Sequence, residues 1–173
     1  MLVSTEEKNG SLQIYVVNDT FEIIKDSLSL KLMDFDGNVI FEKQLPAKSP
    51  ANSSEVVFSI PLKKLEFDRK SSVLKVNFGN SEYLHYFTGP KDLKLPETET
   101  EIETEIKKVD TGFLITLSSK TLQKDVFLTP NEKGRFKDNF FDLLPNEPKT
   151  ILFSTESKTA PKLRIKTLNH FIE

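Results

Sequence analysis

No cysteine and no tryptophan occurs among the 173 residues, and glycine occurs only six times. The first absence removes disulfides, thiolate metal sites and cysteine nucleophiles together, and leaves the redox compartment open. The second removes the largest ring on which a sugar stacks. So few glycines leave little room for a phosphate-cradling loop, and no zinc spacing or Ser-His-Asp constellation is present. Charge of one sign is missing as well: 24 Lys and Arg nearly cancel 26 Asp and Glu, for a formal net charge of −2. No global field therefore recruits nucleic acid or an anionic membrane. No apolar run approaches the roughly 20 residues that span a bilayer, and the start, MLVSTEEKNG, has neither the basic nor the apolar region of a secretory leader. A soluble chain with no nucleic-acid and no membrane partner is expected. Strand-like residues begin directly after Met1, which fits a piece cut from something longer.

What is present is apolar material in strand period. Hydrophobic residues make up 37% and Phe alone numbers 14, enough for the core of one ordinary domain or of two small ones. SLQIYVV, 11–17, puts Leu12, Ile14 and Val16 on one face and Tyr15 and Val17 on the other. SLSLKLMDF alternates at Leu28, Leu30 and Leu32, DFDG supplies turn residues, and NVIFEKQL returns, which predicts a hairpin over 27–45. SSEVVFSI, SVLKVNFG and SEYLHYFTG add three more strands, the last two joined at Gly79-Asn80. PLKKLEF, 61–67, is the one segment that fits a short helical turn, at a corner crossing between sheets.

GPKDLKLPETE, 89–99, has Gly89, Pro90 and Pro96 without long alternation and reads as a linker, where limited proteolysis should cut first. TEIETEIKKVD spaces Ile102 and Ile106 by four, as a weak helix would, yet Thr-Glu alternation running into GFLITLSS favours a strand. DVFLTP, NFFDLL, KTILFST and PKLRIKTL bring the second half to about seven short strands. The reading is all-β: two tandem immunoglobulin-like antiparallel β-sandwiches, 1–92 and 93–173, without the Cys and Trp that mark antibody domains.

Candidate sites are few. Asp34-Phe35-Asp36-Gly37-Asn38 looks like the opening of a calcium loop, but Lys43 stands where the bidentate Glu is needed, so a hairpin turn is the better reading. His85, beside Tyr83 and Phe87, and His170, beside Phe171, lack convergent partners and read as structural or surface histidines. Asn18-Asp19-Thr20 and Asn52-Ser53-Ser54 fit the glycosylation sequon, which acts only in a eukaryotic secretory host, and both read as loop residues. Tyr83, Tyr86 and Phe87 lie close in sequence, but alternation sends neighbours to opposite faces, which favours core or interface packing over a sugar platform. In KGRFKDNFFDLLPNEPKTILF, 133–153, Asp142 and Glu147 offer a carboxylate pair, and Arg135 and Lys137 an anion patch. A working acid/base carboxylate pair must sit close together with one pKa raised by burial, and turn residues do not supply that. No catalytic, cofactor-binding or metal residue is nominated. Asp142 is instead expected to accept backbone hydrogen bonds at a corner, with Lys133-Gly134 as a turn and Phe136 and Phe140 or Phe141 as core anchors.

The stretch GFLITLSSKTLQKDVFLTPNEKGRFKDNFFDLLPNEPKTILF resembles the last domain of the β-mannosidases of glycoside hydrolase family 2. LQIYVVND, LSLKLMDFDGNVIFEK and YFTGPKDLKLP resemble the immunoglobulin-like domain that precedes it, so the resemblance covers nearly the whole chain. Asn146 stands where that family usually has Gly, a conservative departure because Asn tolerates the left-handed backbone. The resemblance implies non-catalytic accessory domains that pack on and stabilise a catalytic TIM barrel. It further implies that the parent enzyme hydrolyses terminal non-reducing β-D-mannose with retention, through two Glu on that barrel. A barrel needs about 250 residues of alternating strand and helix, and no position here matches its Glu pair. The fragment itself is expected to be inactive, its main partner that barrel in the same polypeptide; the alternative is a module that binds mannan-type glycans. Export would follow from a leader on the parent.

Overall fold

In the computed structural model of the chain, residues 1–97 and 102–171 are described. Every strand pairing among them is antiparallel, and no α-helix occurs. The chain forms two compact units, Met1–Asp34 with Asn38–Leu93, and Phe35–Gly37 with Lys94–Glu173. Both are all-β and immunoglobulin-like.

The first unit has strands β1 (Leu2–Lys8), β2 (Ser11–Asn18), β3 (Ile24–Asp34), β4 (Val39–Ser49), β5 (Ser53–Pro61), β6 (Ser72–Phe78) and β7 (Ser81–Tyr86). They form two sheets, in the orders β1-β2-β5 and β4-β3-β6-β7. Alternation decides which side chains meet. Leu28, Leu30 and Leu32 of β3 stand opposite Phe78, Val76 and Leu74 of β6, giving three buried rows on one face. Leu12, Ile14 and Val16 of β2 answer them from the other sheet in the same core. Burying each such side chain is worth about 1.5–3 kcal/mol. Ile14 pairs with Phe58 but Tyr15 pairs with Val56, so Val57 is an extra residue. That bulge lets the adjacent Val57 and Phe58 both pack on the core, which strict alternation forbids.

The corner PLKKLEF forms a 3-10 turn at Leu62–Lys64 between β5 of one sheet and β6 of the other. β4 lies at the edge of its sheet with Pro46 inside it and Glu42, Lys43 and Lys48 exposed. Side chains stitch β1 to β7: Val3 N–H donates to Ser81 Oγ at 2.9 Å, and Thr5 Oγ1 meets His85 Nδ1 at 2.8 Å.

The stretch read as a linker is less plain than its composition implies. Pro90–Asp92 closes a 3-10 turn and Leu93 is buried. Residues 98 and 99 of that stretch, and the start of TEIETEIKKVD, lie outside the described residues.

The second unit has β8 (Glu103–Val109), β9 (Gly112–Ser118), β10 (Gln123–Pro130), β11 (Arg135–Phe136), β12 (Phe141–Leu143), β13 (Lys149–Ser154) and β14 (Leu163–Lys166), in the sheets β11-β13-β9-β8 and β12-β10-β14. TEIETEIKKVD is a strand where described, β8, but it does not run on into GFLITLSS: Asp110 and Thr111 make a turn, and the chain folds back as β9. Phe113, Ile115 and Leu117 of β9 and Ile151 and Phe153 of β13 fill one side of the core, and Val126, Leu128, Phe141 and Leu143 the other. Gly134 is glycine for want of space. A Cβ there would lie 2.3 Å from Cζ of the buried Phe153 ring. Asn146 takes the left-handed backbone, at φ 58°.

Candidate functional site

The residues that sequence marked as chemical turn out to be mostly structural. The Asp34–Asn38 loop is closed from within. Asn38 donates its N–H to Asp34 Oδ1 and its Nδ2 to Oδ2, both at 2.8 Å, and Asp34 N–H donates to the Asn38 carbonyl. Both carboxylate oxygens thus serve the turn. Among the described residues no group of three or more His, Asp or Glu is placed to hold a metal.

Asn18 overturns its reading as a loop residue. It ends β2 with no solvent exposure. Its Nδ2 donates to the carbonyls of Glu22 at 2.9 Å, Pro50 at 2.8 Å and Ser49 at 3.3 Å, and its Oδ1 accepts from the N–H and hydroxyl of Thr20. An amide so enclosed offers no nitrogen to a glycosylating enzyme once the chain has folded. Asn52 is the exposed turn residue that sequence implied, at φ 47°.

His85 belongs to a cluster with Glu7 and Arg69. Its Nε2 lies 3.3 Å from Glu7 Oε1, the same carboxylate takes Arg69 Nη2 at 2.7 and 2.9 Å, and Arg69 also donates to the Phe87 carbonyl. Phe87 is core, its ring 4.5 Å from Phe67 and 4.6 Å from His85, whereas Tyr83 stands at the surface. The Tyr83-Tyr86-Phe87 group is thus split between interior and surface, and it forms no flat platform. Burial pushes the His85 pKa below its ordinary 6.5; the Glu7 carboxylate opposes this and Arg69 adds to it. The unfolded chain therefore takes up this proton at a higher pH than the folded one. The stabilising contribution is present above pH 6.5 and is lost as pH falls from there toward the folded value. Between pH 7 and 5 the native chain should lose more stability than His85→Gln. Urea titrations at several pH values test this, and parallel losses would remove the role.

His170 is also structural: its Nδ1 accepts from Thr167 N–H at 3.2 Å and lies 2.9 Å from Thr167 Oγ1.

KGRFKDNFFDLLPNEPKTILF is built around a bulge. Gln123 pairs with Leu143 and Val126 with Phe141, so Lys124 and Asp125 together face the single residue Asp142. Asp125 turns left-handed at φ 53°, and Asp142 Oδ1 accepts its N–H at 2.9 Å and Lys124 Nζ at 3.0 Å. Lys124 Nζ also reaches Asp125 Oδ1 at 2.8 Å. Burial pulls the Lys124 pKa down, but the two carboxylates outweigh it and hold the ammonium above 10.5. Asp142 thus accepts a backbone hydrogen bond, the role expected of it, and it secures a bulge. Glu147 lies past the Pro145-Asn146 turn, its N–H donating to the Leu144 carbonyl. Arg135 is exposed on β11, and Lys137 N–H donates to Leu152.

Of the Phe pair, Phe141 is the core anchor. Phe140 is 68% exposed, on a left-handed backbone at φ 63°, with its ring 4.5 Å from that of Phe127. Alternation requires that one of two adjacent Phe point outward. Its stacking partner and its backbone strain depend on a bulge in another strand, which local pattern does not reveal.

Folds of this size and strand number are shared by many unrelated proteins, and sequence profiles narrow the class. Residues 10–92 match the Mannosidase Ig/CBM-like domain, and residues 95–171 match the Ig-fold domain of mannosidases. The chain is a tandem of immunoglobulin-like domains of the kind found in mannosidase-type glycoside hydrolases. The comparison with curated sequences gave no match. Among solved structures, the β-D-mannosidase of Dictyoglomus thermophilum superimposes with a TM-score of 0.78 at 23% identity, over 97% of this chain and 21% of that one. The exo-chitosanase of Amycolatopsis orientalis superimposes with a TM-score of 0.59 at 12% identity, over 97% of this chain and 26% of that one. The chain thus spans about a fifth to a quarter of the enzymes whose fold it shares.

Proposed function

We propose that the chain is a pair of non-catalytic accessory domains of a family 2 β-mannosidase, which pack on a catalytic barrel in the same polypeptide and stabilise it. The parent reaction in this reading is retaining hydrolysis of terminal non-reducing β-D-mannose. One observation carries the proposal: two mannosidase domain types follow one another over 10–92 and 95–171 while the whole chain covers only 21% of a β-mannosidase. Exposed apolar groups on the first unit suit docking. Leu2 stands beside Val17 and Val56 beside Tyr15 in the β1-β2-β5 ladders, and the loop leaving β2 carries Phe21, 94% exposed, and Ile23.

Two measurements test it. The isolated chain should not hydrolyse an aryl β-mannoside above the buffer rate; turnover would refute the non-catalytic role. Added to the barrel encoded upstream of Met1 and produced separately, the chain should raise the barrel's melting temperature. No rise, or no barrel encoded there, would end the accessory reading. Division of the chain into domains 1–92 and 93–173 belongs to the same proposal, and first proteolytic cuts outside 89–99 would count against it.

A further inference from the structure

We propose that Phe140 and Phe127, at the β10–β12 bulge, form a carbohydrate-binding platform that takes a neutral pyranose chain. This reading stands apart from the accessory role and does not depend on it.

The first support is backbone conformation. A bulky residue at positive φ is an outlier, and such strain persists only where the surroundings over-determine it. Here they do. Asn139 on one side mimics a strand residue, its Oδ1 accepting Leu128 N–H at 2.9 Å and its Nδ2 donating to the Leu128 carbonyl at 3.0 Å. Phe140 N–H donates to the Val126 carbonyl at 3.0 Å, and Phe141 on the other side is fixed in the core. Asp125, a second non-glycine residue at positive φ, lies in the facing bulge. Two strained residues side by side hold one ring out in solvent, where a merely space-filling ring would be turned inward.

The second support is shape. The two rings are 4.5 Å apart and inclined by 29°, so each limits the other's rotation. Together with Asp125 and Lys166 they line a depression of about 300 Å³, at the small end of ligand sites. The negative face of an aromatic ring attracts the polarised C–H groups that cover one face of a pyranose.

The third is charge. Asp125 and Asp142 are balanced by Lys124 and Lys166, and Lys124 bridges both carboxylates. The balance favours neither an anionic nor a cationic ligand. The carboxylate of Asp125, 48% exposed, and the ammonium of Lys166 are suited to accept from and donate to hydroxyl groups beside the rings.

The test is affinity electrophoresis of the 173-residue chain in gels containing galactomannan, with calorimetry on β-1,4-mannohexaose. Saturable retardation is expected. Phe140→Asn should weaken binding about tenfold or more, while Phe140→Tyr retains it. Asn tolerates left-handed backbone, so Phe140→Asn should melt no lower than the native chain, and lost binding cannot then be ascribed to unfolding. Three outcomes would overturn the proposal: no retardation of the native chain by galactomannan, xylan or β-glucan; equal retardation of Phe140→Asn; or retardation only by cationic chitosan or anionic polygalacturonate. The accessory role is read separately, from the melting temperature of the barrel, so either proposal can fail alone.

Discussion

Asn18→Ala should cost about 3 kcal/mol or more, the range in which a buried polar network is broken rather than trimmed. The side chain is enclosed, and its removal takes a donor from the Glu22, Ser49 and Pro50 carbonyls and the acceptor from Thr20 N–H, leaving Ser53 Oγ on the Pro50 carbonyl and the Thr20 hydroxyl on that of Glu22. Each buried group left unpaired costs about 1–3 kcal/mol. Partial access of water to the opened site keeps the total below the simple sum. Asn18→Asp is the sharper variant. It keeps the acceptor for Thr20 but faces three carbonyls with a negative charge, so it should be at least as damaging as Ala. Hydrogen exchange at β2 and β5 amides would read both variants where the damage is made. Exchange within a factor of two of the native rate would show that the network carries little stability.

Gly112→Ala should cost about 4 kcal/mol, again among the largest effects of a single substitution. The backbone there has φ 140°, and an added Cβ would lie 2.1 Å from the Phe153 carbonyl oxygen and 3.0 Å from Thr155 N. Both are main-chain atoms, one on β13 and one directly after its end, so neither can swing aside as a side-chain tip would. Gly10→Ala is the control: its φ is 73°, but nothing lies within 4 Å of the added atom. Only the conformational penalty of about 1–2 kcal/mol remains there. Urea unfolding followed by circular dichroism should separate the two. Equal losses would mean that the steric contact at Gly112 relaxes at no cost.

These two positions show where sequence reading reached and where it stopped. The rows at Leu28, Leu30 and Leu32 and at Phe113, Ile115 and Leu117 were legible because alternation is a property of neighbours within one strand. The left-handed Asn146 was legible because few residues tolerate that backbone. Asn18 was not. Its sequon is local, whereas the carbonyls that use its amide lie up to 32 residues away. Nothing in the local sequence singles out Gly112, because the reason for it is a carbonyl on β13. The bulges at Val57 and at Lys124-Asp125 are defined by a partner strand, so no window along one strand contains them. The same holds for the platform: the FF pair requires one outward ring, but only the facing bulge supplies its stacking neighbour and its polar rim.

Pro46 on β4 bears on how the chain meets other chains. An edge strand exposes a row of N–H and C=O groups that can template a strand from another molecule, the route to domain swapping and fibrils. Proline deletes one donor from that row, and Glu42, Lys43 and Lys48 place charges along it. Strand addition at this edge is therefore disfavoured both by a missing hydrogen bond and by desolvation of charge. Any stable association along β4 would have to proceed through side chains, leaving the hydrogen-bond ladder of the sheet unextended.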